Sequence, residues 1–389
     1  MVLRLVGRAW RQPGDSGKHE GVIRGRRLGG AGSERVAGRS GVAVATLVSA
    51  VAFVTAGVAS GLLIDEYGGV LGALEWLLRT LVVIAAVVFI VAGAVLVLRV
   101  RRRVRSRPLG WLLAVVAFLA FVWLAAVPVG YSVYLTHLPF RDSVADADLG
   151  ARKEAVTLTG ADGVRLRGWY VPSRNRAAVI ALHGTGSSRL GVAGHARLLA
   201  RHGYGVLALD LRGHGESDGR STSAPWKNDE DMDAAVEWLT ARADVDPARV
   251  GMLGVSHGAE VALRTAARRN EVRAVVAEGA RGGPADARAA GASLPVLAQL
   301  GALFGLSILL TGETVTEDAE LVERIAPRPL LLISAGRTTE ANANRDFQRR
   351  AGASAEHWNL SDAAHAAALR TEPAEYERRV IGFLDRALR

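Results

Sequence analysis

The chain changes its hydrophobic pattern near residue 150. Beyond it, short β-rich runs alternate with amphipathic stretches of helical period, whereas before it lie long apolar runs without a period. The later half predicts strands at Ala155–Thr159, Arg165–Val171, Ala178–Leu182, Gly205–Asp210, Val250–Gly254, Val272–Ala277, Pro329–Ser334 and His357–Leu360. Helices are predicted at Val192–His202, Asp229–Arg242, His257–Ala267 and Pro373–Leu388. Gly160-Ala161-Asp162-Gly163 is a turn signal that makes the first two strands a hairpin. An antiparallel start followed by β-α alternation predicts an α/β fold over 154–389: a mostly parallel eight-stranded sheet with helices on both faces.

The earlier half holds three apolar runs, at about 41–64, 79–99 and 109–131. Each approaches or exceeds the roughly 20 residues that a helix needs to cross ~30 Å of hydrocarbon. Backbone groups left unbonded in lipid are costly, so such runs are expected to be transmembrane helices. Trp111, Trp123 and Tyr131 stand in the third run, where interfacial aromatics are common. Residues 1–40 are Gly- and Arg-rich without a hydrophobic period and are expected to be disordered. They lack the order of a signal peptide, which makes the first apolar run an uncleaved anchor, with a start codon assigned too far upstream as the alternative. Residues 132–153 are expected to be a linker.

Charge then orients the chain. The 389 residues carry a formal net charge of +10, which at first sight suggests an acidic partner. Residues 1–150 hold 17 Lys and Arg against 9 Asp and Glu, net +8, and the remainder holds 31 against 29, net +2. Only Lys18, Lys153 and Lys227 are lysines, so the arginines do not point to nucleic acid. Arg99, Arg101, Arg102, Arg103, Arg105 and Arg107 lie between the second and third runs, while Asp65, Glu66 and Glu75 lie between the first and second. Basic residues stay on the cytoplasmic side, so the expectation is a multi-pass protein of the cell membrane with 154–389 outside the cytoplasm. The absence of cysteine excludes disulfide frameworks, thiolate zinc sites and thiol nucleophiles. The histidines show no metal-ligand spacing, and neither metal nor cofactor is expected.

The candidate chemistry begins at Gly254-Val255-Ser256-His257-Gly258, directly after a predicted strand and before a predicted helix. This is the G-x-S-x-G context in which a sharp turn lifts a serine hydroxyl to the end of a sheet. His183-Gly184-Thr185-Gly186 follows another strand, and Asp210-Leu211-Arg212-Gly213-His214-Gly215-Glu216-Ser217 a third. Gly184-Thr185-Gly186 is not a dinucleotide fingerprint, because Arg189 occupies the third glycine position.

These three ordered motifs resemble the α/β-hydrolase superfamily, in particular bacterial serine hydrolases of the proline-iminopeptidase and monoglyceride-lipase type, over roughly 154–389. The resemblance implies Ser256 as nucleophile and, in the chain order serine, acid, histidine, His365 as base. The implied acid follows the strand Pro329–Ser334. That loop has Thr339 where Asp is frequent, so Glu340, one residue further along a flexible loop, is the choice, with Glu278 as the alternative. The oxyanion donors are expected from the backbone at His257 and at Thr185 or Gly186. Asp210, Arg212 and His214 are expected to brace their turn, and the His257 side chain to pack at the surface or to touch substrate.

Residues 281–327 form an insertion with an apolar run, Leu294–Leu310, and an acidic stretch, Glu313–Glu323. A single membrane crossing there would separate Ser256 from His365. The insertion is therefore expected to be a helical cap, apolar toward the pocket, with a position in the membrane interface as the alternative. The leading expectation is a membrane-anchored serine hydrolase acting on a small or lipid-like ester, thioester or amide. The other is a hydrolase-like binding or sensing module without turnover.

Overall fold

Side chains that are apolar on both faces of a strand call for cover on both faces of the sheet. The computed structural model describes residues 106–121, 123, 127–137, 139–160, 162–219, 228–311, 316–336 and 339–388, with isolated helical positions between 91 and 102. In chain order the elements are α1 (Arg107–Phe121), α2 (Val127–His137), β1 (Phe140–Arg141), β2 (Glu154–Thr159), β3 (Arg165–Val171), β4 (Ala178–Leu182), α3 (Ala193–Arg201), β5 (Gly205–Leu209), β6 (His214–Gly215), α4 (Asp229–Thr240), β7 (Val250–Val255), α5 (His257–Arg268), β8 (Val272–Glu278), α6 (Pro284–Ala289), α7 (Leu294–Thr311), α8 (Asp318–Ile325), β9 (Leu330–Ala335), α9 (Thr339–Ala351), β10 (Ala355–Leu360), α10 (Ala368–Thr371) and α11 (Pro373–Leu388).

Eight strands form one sheet in the order β10-β9-β8-β7-β4-β5-β3-β2. Within it β3 alone runs against its neighbours, pairing antiparallel with β2 and β5. Every residue of β4, β5, β7 and β9 is buried. Alternate side chains enter two separate cores. Ile180, Leu182, Leu207, Leu209 and Met252 meet Val236 of α4, Leu263 of α5 and Phe347 of α9. Val179, Val206, Leu253 and Ile333 meet Leu199 of α3 with Tyr376, Val380 and Leu384 of α11 on the other face. Burying each such aliphatic side chain contributes about 1.5–3 kcal/mol.

The apolar runs at 41–64 and 79–99 and the segment 1–40 lie largely or wholly outside the described residues. Among those described, no helix is both long and apolar enough to cross a membrane. The described residues of the third run, expected as a helix over 109–131, are helical and fall in α1, at 123 and in α2, while 122 and 124–126 lie outside the described residues. The segment 132–153, expected to be a linker, carries regular structure. It contains the end of α2 and β1, whose Phe140 and Arg141 pair in parallel with His214 and Gly215 of β6.

The insertion at 281–327, expected to be a helical cap, holds α6, α7 and α8. Its α6 packs on α9, and its α8 packs on α5 and α9 as part of the body. Its apolar helix α7 lies along α2 and touches α6.

Candidate active site

Two strands adjacent in the sheet, β4 and β7, continue in opposite directions: β4 leads to β5 on one side and β7 to β8 on the other. Such a reversal leaves a crevice at the carboxyl ends of the two strands. Ser256 follows β7 there, and His183-Gly184-Thr185-Gly186 follows β4. Ser256 has φ 55° and ψ −119°, a conformation that costs free energy for any residue with a side chain. Its surroundings enforce it. A Cβ on Gly254 would stand 2.0 Å from the Gly258 carbonyl oxygen, and one on Gly258 would stand 2.3 Å from that of Leu182. Both glycines are therefore required by the close approach of strand, turn and helix. The Ser256 N–H also donates to the Glu278 carbonyl at 2.7 Å, which ties the turn to β8.

His365 reaches this serine from the loop after β10. Its Nε2 lies 2.9 Å from Ser256 Oγ, and its Nδ1 lies 2.7 Å from Glu340 Oε2. Glu340 is not on a flexible loop, as the sequence suggested, but in the first turn of α9, where its other oxygen accepts the Ala335 N–H at 2.8 Å. Burial pushes Glu340 up, but hydrogen bonds from His365 and from Ala335, with the Arg281 guanidinium nearby, bring it below the usual carboxylate value. An ionised Glu340 draws the imidazole proton to Nδ1 and leaves the Nε2 lone pair facing the Ser256 hydroxyl, which donates to it. The ring fits because Gly279 has no side chain; a Cβ there would stand 2.8 Å from His365 Cε1.

The loop after β4 lies against the serine: a Cβ on Gly184 would stand 3.2 Å from Ser256 Cβ. Thr185 and Gly186 are exposed at its turn, closed by Ser187 N–H donating to Gly184 O at 3.3 Å. On the other side, the first N–H groups of α5, from His257 onward, have no carbonyl within the helix to bond. The loop is held from below. His183 Nε2 accepts the Leu211 N–H at 3.0 Å, and buried Asp210 accepts the Arg189 N–H at 2.6 Å and the Glu216 N–H at 2.9 Å. Arg189 pairs with Asp210 and Glu216, and Arg212 binds Asp231 at 2.7 Å and also pairs with Asp162.

The His257 side chain is not at the surface. It is 4% exposed, and it lies near His183 and His214, themselves fully buried with ring centroids 5.1 Å apart. Burial pushes both His183 and His257 down to about 3, with the neighbouring imidazoles adding to the effect, so both are neutral near pH 7. The turn of α5 faces the loops after β4 and β5, which is where position 257 points. Among the described residues no group of three or more His, Asp and Glu is arranged as a metal site.

Glu278, the alternative acid, is buried and turned elsewhere. It accepts the Ala368 N–H at 2.8 Å and lies 3.5 Å from His195 Nε2, so it holds the far end of the His365 loop. Sequence reasoning did not find this role, nor Arg281, whose Nε donates to Glu340 Oε2 at 3.4 Å. A Glu and an Arg flanking Gly279 after a strand carry no distinguishing signal.

Residues 173–363 match the serine aminopeptidase, S33, family. A solved structure, the Pyrococcus furiosus esterase Pf2001, superposes with a TM-score of 0.55 at 28% identity, covering 65% of this chain and 99% of that one. Residues 154–388 have the α/β-hydrolase fold. Its curated relatives include the uncharacterized protein Rv2307c of Mycobacterium tuberculosis, 34% identical over 173 residues, which are 43% of this chain and 59% of the relative. The thiohydrolase aneE of Aspergillus aculeatus is 32% identical over 119 residues, 30% of this chain and 37% of that one. The hydrolase domain thus matches less than two thirds of the length of these relatives.

Proposed function

We propose that this chain is a membrane-anchored serine hydrolase that cleaves an ester, thioester or amide through an acyl-enzyme on Ser256. The observation that carries it is the continuous relay from Ser256 Oγ through His365 to Glu340, at 2.9 and 2.7 Å. An alcohol is a weak nucleophile at neutral pH, and an oriented imidazole supplies the base. Ser256 Oγ attacks the acyl carbon as its proton passes to His365 Nε2, and Glu340 stabilises the imidazolium. The N–H of His257 and that of Thr185 or Gly186 receive the developing oxyanion. The C–O, C–S or C–N bond then breaks as His365 protonates the leaving group, and water, giving its proton to His365, hydrolyses the acyl-serine. Similarity to the Pf2001 esterase and to the aneE thiohydrolase supports acyl transfer.

The anchoring and the placement of the domain outside the cytoplasm rest on the three apolar runs and the arginines at 99–107. The binding-module reading rested on a displaced acid and on the unusual His257. Glu340 now stands in hydrogen-bond reach, and His257 is buried among histidines. A fluorophosphonate that cannot cross membranes tests the whole reading. It is expected to label the wild-type chain on intact cells and to leave Ser256→Ala unlabelled. Labelling that survives in Ser256→Ala overturns the nucleophile, and labelling that needs lysed cells overturns the orientation.

A further inference from the structure

The helix pair α2–α7 is built inside out. Residues 108–140 and 289–312 contain no Asp, Glu, Lys or Arg. A helix resting on a water-soluble body has one apolar stripe and a polar opposite face, but α7, LPVLAQLGALFGLSILLT, has no polar face. Its outward positions are apolar, with Leu294 at 80% exposure and Val296 at 42%. The polar groups lie instead at the seam. Buried Ser132 donates from Oγ to Leu303 O at 3.0 Å, buried Thr136 donates from Oγ1 to Ser132 O at 2.6 Å, and Gln299 donates to the Trp123 carbonyl. Ser307 of α7 is buried as well.

Small polar residues inside and aliphatic residues outside is the packing expected where the solvent is hydrocarbon, because there the polar groups have no other partner. Preceding helix α1 is also apolar on its exposed positions, with Trp111, Leu112, Phe118 and Leu119 all more than half exposed. An apolar surface of this kind does not remain open to water. The arginines at 99–107, immediately before α1, suit the headgroups of a bilayer and not a second protein core.

The pair is also close to the chemistry along the chain. Gly279 lies against the His365 ring, Arg281 touches Glu340, and α6 then leads directly into α7. We propose that α2 and α7 are embedded in bilayer hydrocarbon, seating the insertion beside Ser256 on the membrane, and that the substrate is an acyl ester of a membrane lipid. This deepens the serine-hydrolase reading and rests on it for the substrate, though not for the embedding.

The cysteine-free chain permits a direct test. Full-length Leu294→Cys and Val296→Cys proteins, with Arg349→Cys as the aqueous control, are labelled with an environment-sensitive fluorophore in vesicles of phosphatidylcholine and phosphatidylglycerol. The α7 probes are expected to be quenched by spin-labelled lipid and shielded from iodide. Iodide quenching equal to that of the control overturns the embedding. In the same vesicles the double variant Leu294→Lys, Val296→Lys is expected to hydrolyse monoacylglycerol at least about tenfold more slowly, since charges are costly in hydrocarbon. Its turnover of water-soluble p-nitrophenyl acetate is expected to stay unchanged. Equal rates of wild type and variant on the vesicle lipid, or no wild-type turnover of that lipid while p-nitrophenyl acetate is cleaved, overturn the lipid substrate. A wild type that cleaves neither substrate and takes no fluorophosphonate defeats the hydrolase reading, and with it the substrate, while the quenching result stands by itself.

Discussion

Two buried glutamates end up near one histidine loop, and their hydrogen bonds separate their roles. Glu340 bonds the ring nitrogen of His365, whereas Glu278 bonds the Ala368 backbone three residues later. Glu340→Gln removes the charge that stabilises the imidazolium and is expected to lower kcat by about 10³–10⁴-fold. Glu278→Ala leaves the Ala368 N–H unbonded and is expected to cost about 1–3 kcal/mol of stability, with a much smaller loss of kcat. Turnover of a p-nitrophenyl ester and urea unfolding of both variants decide between them; equal losses of kcat would contradict the assignment. Nothing in the sequence chooses between these acids, because both follow strands whose ends meet at the same edge of the sheet.

At the scale of elements, the turn between β7 and α5 is the most constrained part of the fold. Gly258 touches the end of β4, a central strand that has no room to withdraw, so Gly258→Ala is expected to lose about 3 kcal/mol in urea unfolding, as overpacked cores do. A Gly258→Ala protein as stable as wild type would refute the close approach. The eight strands of the large sheet lie within two residues of the positions read from the sequence, because the central parallel strands are continuously apolar and the edge hairpin is marked by its turn. Helix α9 was not legible in this way. Its buried positions Ala341, Ala343 and Ala351 are too small to mark a hydrophobic face, and Phe347 alone is not a pattern.

Stability belongs to the whole molecule, and the buried histidines make it depend on pH. His257 has an ordinary value of 6.5 and is pushed down to about 3 in the fold, so below 6.5 the unfolded chain binds a proton that the folded chain does not. The stabilisation is complete above 6.5 and is lost as pH falls toward 3. The unfolding free energy of His257→Gln relative to wild type is therefore expected to rise by about 1.4 kcal/mol per pH unit below 6.5. Urea unfolding of both proteins at pH 7 and pH 5 measures it, and a difference independent of pH would place His257 in water. Titrating groups common to both proteins, among them Asp286, which burial and Glu317 push up to about 7, cancel in that comparison.

Local composition by itself determined the α/β architecture and the strand–turn–helix context of Ser256, since each rests on neighbours along the chain. Only the tertiary structure decided that Glu340, on a helix end, and not Glu278 meets the His365 ring, that Glu278 holds the histidine loop, that His257 is buried, and that α7 pairs with α2. Those outcomes depend on which distant segments meet across the sheet edge, and contact between residues far apart in sequence leaves no periodic trace in either one.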